Sequence, residues 1–349
     1  MNRLFCLSAF LSLLCFSHIA RADEPATNPP TTRPGVHQTI ERAIGYLQTE
    51  SGAWMSQRKC AACHHAALPL WALSEADRRG YPVDKKYLAQ TFEATLGSRD
   101  KMMASGLINN PANPPDTRPM ARGVNMGLPF MAVAARSLPS LDDGQKKSLR
   151  FISDEIVQKQ QADGSWEFFL SRPPINESQA TDVAWIIMAL QGDTGPDAQP
   201  GSQAAAQKGM AWLEGAEPDN QEAKILKVLV ALRAGKNRDT MQRAIDAVLA
   251  RQRPDGGWNQ TTETKSDAFA TGQVLYVLSL AGYGANQAGV KRGMDYLLAT
   301  QKADGSWPMV SRATPDGRPG SAKLLTPITC GATSWAVLGL VELDSGKHG

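Results

Sequence analysis

The chain has 349 residues, 37 basic against 34 acidic, for a formal charge of +3. So near a balance argues against nucleic acid or an anionic membrane as the main partner, since both are met by a marked excess of Lys and Arg. Five cysteines in such a length, two of them near the N-terminus, are too few for a disulfide scaffold.

Residues 1–22 read as a secretory signal. Arg3 gives a positive start, Leu4 to Phe16 is almost wholly apolar, and Ala20-Arg21-Ala22 has the small-x-small pattern of a cleavage site. The apolar run is too short for a stable membrane anchor. Leu14, ahead of Cys15, is not the small residue that a lipoprotein signal wants there. The expectation is cleavage near Ala22 and release as a periplasmic or secreted protein with no transmembrane anchor. Without Arg3 and Arg21 the mature chain keeps 35 bases against 34 acids, a charge of +1, and three cysteines: Cys60, Cys63 and Cys330. Residues 23–36 carry Pro25, Pro29, Pro30 and Pro34 among Thr and Asn. They have little apolar surface to bury and are expected to form an exposed tether.

From residue 37 onward the sequence repeats itself. Gln160-Gln161-Ala162-Asp163-Gly164-Ser165-Trp166 recurs as Gln252-Arg253-Pro254-Asp255-Gly256-Gly257-Trp258 and as Gln301-Lys302-Ala303-Asp304-Gly305-Ser306-Trp307. A partial copy keeps Gln48, Gly52 and Trp54 at the same offsets. Each copy follows an amphipathic helical pattern, and the reading is a helix stop and a fixed turn. The Gly supplies a left-handed residue that ends the helix, the Gln amide satisfies free backbone groups, and the Trp ring covers it. After each turn comes a more apolar helix, ending in segments such as Trp71-Ala72-Leu73, Met188-Ala189-Leu190 and Leu338-Gly339-Leu340. A helix apolar nearly all round is a buried one. Six outer-inner pairs are predicted, over 37–80, 84–138, 142–191, 203–234, 237–282 and 286–343. The fold class expected is all-α: a single (α/α)6 toroid over residues 37–345, its inner helices walling a cavity for an apolar small molecule.

On the strength of these turns the chain resembles the squalene-hopene cyclase and prenyltransferase repeat family. Cyclases of that family protonate an alkene with the middle Asp of an Asp-x-Asp-Asp motif at the start of an inner helix, an acid whose neighbours keep it protonated. The matching stretch here is Gln179-Ala180-Thr181-Asp182, in which Thr181 stands where the proton donor would be. Ordinary squalene cyclisation is therefore not expected. Ser140-Leu141-Asp142-Asp143 resembles the motif superficially but precedes an outer helix, where capping explains it. Asp182 and Asp267 remain as catalytic candidates, Asp267 also reading as an N-cap. The Asp-x-Cys zinc pair of protein prenyltransferases is absent.

The most informative chemistry is Cys60-Ala61-Ala62-Cys63-His64-His65, between the first turn and the first inner helix. Cys-x-x-Cys-His is the attachment signature of c-type haem: two thiols bond the porphyrin vinyl groups and the adjacent His ligates iron. The fragment Lys59 to Pro69 also resembles a subgroup of exported repeat proteins bearing this motif. That resemblance implies a haem grafted onto the toroid, at Cys60, Cys63 and His64, and with it a redox partner. Met126 is a candidate sixth ligand, although methionine in a helical protein is more often core filler. Zinc is the alternative: a closed ring brings the sixth inner helix against the first, so that Cys330 joins Cys60, Cys63 and His65 in a tetrahedral set. A disulfide or free thiols also remain open. Three functions follow. One is a haem-bearing toroid for electron transfer, sensing or oxidation of a terpenoid-like ligand. The others are a zinc-dependent or metal-free enzyme on an isoprenoid, peptide or glycan, and a binding module without chemistry.

Overall fold

The computed structural model describes residues 35–58, 61, 63–108, 123–168, 171–217, 220–312 and 328–344, with Arg58 and Cys63 described in backbone only. The expected signal, nearly all of the tether and Cys60 lie outside these residues. In chain order the elements are α1 (Val36–Arg58), a 3-10 turn at Cys63–His65, α2 (Ala67–Arg78), α3 (Lys85–Leu96), the short α4 (Arg99–Ala104) and α5 (Gly127–Ala135). Then follow α6 (Asp143–Gln158), α7 (Gln179–Gln191), α8 (Ser202–Gly215) and α9 (Gln221–Arg233), and finally α10 (Arg238–Leu249), α11 (Ala268–Leu280), α12 (Ala288–Thr300) and α13 (Thr329–Leu343). The described residues hold no strand beyond two isolated bridges. None of their helices is long and apolar enough to cross a membrane.

Helices α2, α5, α7, α9, α11 and α13 form an inner ring, each packed on the next and α13 packed back on α2. The outer layer is α1, α3 with α4, α6, α8, α10 and α12. The chain is thus the (α/α)6 toroid that its repeats imply. The division follows composition. All nine residues of α5 are buried, as is every residue of α11 from Ala268 to Leu278, whereas outer α10 buries only Ile245 and Val248. Inner helices α11 and α13 approach most closely where Gly272 meets the Trp335 backbone and Gly339 meets Gly272.

The repeated turn works through four bonds that recur almost unchanged. The Trp indole donates to a carbonyl at the end of its own outer helix: Trp166 to Ile156 (2.7 Å), Trp258 to Val248 (2.9 Å) and Trp307 to Leu297 (3.0 Å). The Gln amide bridges its own turn and the first turn of the next outer helix. Gln160 donates to Gly164 and Ala205, Gln252 to Gly256 and Gly289, and Gln301 to Gly305 and Thr39, all at 2.8–3.0 Å. The turn Asp accepts from the backbone N–H two residues on, at Ser165, Gly257 and Ser306. Gln301 therefore ties α12 to α1 and closes the outer ring. The conserved-offset Gly lies within the turn, past the helix end, with φ near +90°; the expectation that it ends the helix itself is corrected.

The partial copy is not a turn at all, because α1 runs straight through Gln48, Gly52 and Trp54. It lacks the Asp whose carboxylate folds the other three. Gln48 still accepts from the Asp84 N–H at 2.7 Å at the start of α3, but Trp54 turns elsewhere. Helix α1 also begins one residue inside the expected tether, at Val36.

Six aromatic side chains gather towards the centre of the ring. Trp71, Phe130, Trp185, Phe269, Tyr276 and Trp335, from five inner helices, are all buried. They meet largely edge to face, with Trp335 5.3 Å from Trp71 and 6.0 Å from Trp185, and Phe130 4.3 Å from Trp185. Such rings bury about 150–250 Å² each, so their mutual packing makes a large apolar contact between the inner helices.

Candidate functional site

Because outer and inner helices alternate in direction, all six inner helices start at one rim of the ring. The motif turn and a cluster of carboxyl groups both sit there.

The 3-10 turn at Cys63–His65 packs against α13, α2 and α5. His64 is wedged against Gly331: a Cβ built on that glycine would lie 3.2 Å from the His64 Cβ and 3.6 Å from Ile175. Burial, with His65 and Arg172 nearby, pulls the His64 pKa down to about 3, so the imidazole is neutral. His65 lies flat on Trp54, centroids 3.8 Å apart and planes 7° from parallel. Burial lowers its pKa to about 4. Its Nδ1 is buried with no hydrogen-bond partner among the described residues. Of the haem set, then, His64 is placed, while Cys60 and the Cys63 side chain lie outside the described residues. Met126 is half-buried at the start of α5, on the element that touches the turn. Cys330 is a free, buried thiol, pushed up to about 12 by burial and by Glu50. It lies beside Gly331 in sequence, so the sixth inner helix does abut the first at the motif. Among the described residues no three His, Cys, Asp or Glu side chains gather as a metal-binding group.

The second cluster lies at the starts of α7, α9 and α11. Their N-caps are Ser178, Asn220 and Asp267, and the Asn220 amide donates to the Ser178 hydroxyl at 2.8 Å. Asp267 caps α11 through the Ala270 N–H at 2.9 Å and takes a second bond from the Gln260 amide at 2.9 Å. Burial raises its pKa to about 6. Asp182 sits in the first turn of α7, 8% exposed, and burial raises its carboxyl well above the usual range. Glu222, in the first turn of α9, is raised likewise by burial, with Glu177 and Asp182 adding to the effect. Arg312 grips Glu177 with both guanidinium nitrogens, at 2.9 and 2.5 Å, and donates to Gln260 at 2.8 Å. Asp142, by contrast, forms a capping box with Gln145, as its place before an outer helix predicts.

Glu222, Glu177 and Arg312 escape the sequence reading. The fourth pair has lost its turn signature, so nothing marks Asn220-Gln221-Glu222 as the start of an inner helix. The available signal is three polar residues directly ahead of the apolar run Ile225 to Leu232.

A closed double ring of helices with its polar groups at the inner-helix starts defines an α/α toroid of the terpene-cyclase type. Residues 216–348 match the family model of the squalene-hopene cyclase C-terminal domain. A type II terpene cyclase from Scytonema, MstE, superposes with a TM-score of 0.53 at 14% identity, over 88% of this chain and 96% of that one. A wild-type glycosidase gives 0.54 at 12% identity over 89% and 100%, and a protein from Actinoplanes 0.53 at 12% over 88% and 99%. At such identities the likeness is one of fold. No curated protein matches the sequence. The C-terminal part of the chain is thus similar in sequence to the squalene-hopene cyclase family, and the chain as a whole shares the fold.

Proposed function

We propose that this is an exported toroid carrying a covalent c-type haem at Cys60, Cys63 and His64, serving electron transfer or sensing and not alkene cyclisation. The observation that carries this reading is the seat of His64. Directly after Cys63 its imidazole is buried and neutral, the state a metal ligand needs, at a turn wedged between the first and last inner helices. The donor set fits the group: two thiols at the required spacing and one unprotonated imidazole. Bound there, the haem would supply a one-electron couple. His65, stacked on Trp54 with Nδ1 unsatisfied, would orient beside it. Zinc would need Cys330 as a thiolate, and burial disfavours that form.

Two observations weigh against cyclisation. Thr181 replaces the donor acid, and six aromatic side chains occupy the centre where a chain as long as the geranylgeranyl dihydroxybenzoate bound by the Scytonema enzyme would have to fold. The same filling favours electron transfer or sensing over oxidation of an internal terpenoid. The test is export through a host with a haem-attachment system, followed by denaturing electrophoresis and mass spectrometry. A porphyrin that survives denaturation, on a chain starting at Asp23, is the expected result, and Cys60→Ser with Cys63→Ser removes it. Purified protein with no covalent chromophore and one zinc per chain would overturn the proposal.

A further inference from the structure

Residues 171–178, which lead into α7, form a compact loop at the rim where the inner helices start. Its internal bonds are local. The Arg172 N–H donates to the Asn176 carbonyl and the Ile175 N–H to the Arg172 carbonyl, both at 2.9 Å, and the Ser171 hydroxyl donates to the Glu177 carbonyl at 2.9 Å. Pro173 and Pro174 have no N–H to offer a neighbouring segment. Pro174 and Ile175 are buried, and Ile175 meets the start of α13 beside the motif histidine. A Cβ on Gly331 would lie 3.6 Å from Ile175 Cδ1 and 3.2 Å from the His64 Cβ. Arg172, on the same loop, is near enough to His64 to help pull its pKa down. The loop is part of what buries His64.

The grip on this loop comes from far along the chain. The Ser311 hydroxyl donates to the Pro173 carbonyl at 2.8 Å, and the Arg312 N–H donates to the same oxygen at 3.0 Å. The Arg312 guanidinium takes both Glu177 carboxylate oxygens, and its Nε–H donates to Gln260. One arginine beyond the third turn thus joins the segment after the second turn to the loop ahead of α7. A guanidinium fork on a carboxylate is strong and directional. This one is also reached by solvent, with side chains 26% and 18% exposed, so salt can compete with it. We propose that residues 171–178 are a lid over His64, latched by Ser311 and Arg312 and opened when the Arg312–Glu177 pair breaks. Opening parts Ile175 from Gly331 and admits solvent or a small molecule to the imidazole. A short loop with two buried apolar side chains belongs to the low-stability end of a fold, so the ionic latch sets how often it opens. The lid is a property of the chain's own packing and does not depend on haem.

Hydrogen exchange read by mass spectrometry on the full chain tests the latch. Glu177→Gln and Arg312→Gln should each speed exchange in peptides covering 171–178 by roughly tenfold or more, with α11 unchanged. Arg312→Lys, which keeps the charge and loses the fork, should fall between them and the parent. Raising the salt to about 1 M NaCl should speed the loop in the parent chain and change Glu177→Gln little. The cover over His64 is tested by labelling with diethyl pyrocarbonate in the Cys60→Ser, Cys63→Ser chain, which can hold no covalent haem. Adding Glu177→Gln to that chain should raise the rate of His64 modification by roughly tenfold. Loop exchange as slow in the variants as in the parent, acceleration spread equally through α11, or His64 labelling indifferent to Glu177→Gln would each overturn the proposal. A chain that takes up no porphyrin overturns the haem reading and leaves these rates as they are.

Discussion

The joint that closes the outer ring can be tested by one methyl group. Gly305 has φ of +90°, and a Cβ there would stand 2.2 Å from the Arg42 carbonyl oxygen and 3.0 Å from the Ala43 nitrogen. Gly282 has a similar φ of +82° with nothing within 4 Å. Alanine at either position meets the same left-handed backbone penalty, about 1–2 kcal/mol. At Gly305, α1 must also retreat by about 0.8 Å for the contact to reach 3.0 Å. The Gln301 Nε2 to Thr39 O bond, now 2.8 Å, then stretches to about 3.6 Å, beyond a hydrogen bond. Losing it and stranding the carbonyl adds about 1–3 kcal/mol. Gly305→Ala should therefore cost about 2–5 kcal/mol, against about 1–2 kcal/mol for Gly282→Ala. Urea unfolding followed by tryptophan fluorescence and far-UV circular dichroism measures both. If the two variants fall within about 0.5 kcal/mol of each other, the close approach of turn and helix carries no weight, and the ring is held by something else.

Asp267 predicts a pH dependence. Its folded pKa is raised to about 6 from 3.8, so the folded state holds the proton longer than the unfolded one. Stability is then highest below about pH 4, falls as pH rises to about 6 and is flat above, by at most about 3 kcal/mol. Asp267→Asn keeps the cap and should flatten that fall in urea midpoints taken across the range; an unchanged slope contradicts the assignment. In the central cluster, Trp335→Ala should cost about 3–5 kcal/mol, read by the same denaturation. Trp335→Phe should cost much less, since it keeps a ring and removes an indole N–H with no partner among the described residues. Equal losses for the two would mean that ring packing is not what Trp335 contributes.

Much of the architecture is legible in the sequence because it is written three times. The Gln, Asp, Gly and Trp of each turn have separate bonding duties, and the recurrence at 160, 252 and 301 fixes where outer helices stop. The same logic fails at residues 48–54, where a match of Gln, Gly and Trp hides the absence of the Asp that makes the turn fold. The aromatic cluster at the centre of the ring is hidden for another reason. Trp71, Trp185 and Trp335 sit on apolar helices whichever way they point, and only their mutual distances show that they fill the space between those helices. The carboxyl cluster is hidden because each acid, taken alone, is a reasonable first-turn or cap residue. What gathers them is ring closure, which brings positions 177, 182, 222, 267 and 312 to one rim.

That rim has an electrostatic character that departs from simple expectation. An inner-helix N-terminus favours an anion by about 0.3–1 kcal/mol, and here three acids lie within a turn of one. Burying a carboxylate without partners costs considerably more, and Asp182 finds no partner for its Oδ1 among the described residues. Burial therefore wins over the dipole at Asp182 and Glu222, and both carboxyls are pushed towards the protonated form. A cyclase needs an acid of the opposite kind, one strong enough to give its proton to an alkene. Neutral carboxyls of raised pKa are weak acids by comparison. They are good hydrogen-bond donors to oxygen. The starts of the inner helices thus present hydrogen-bond donors at one rim.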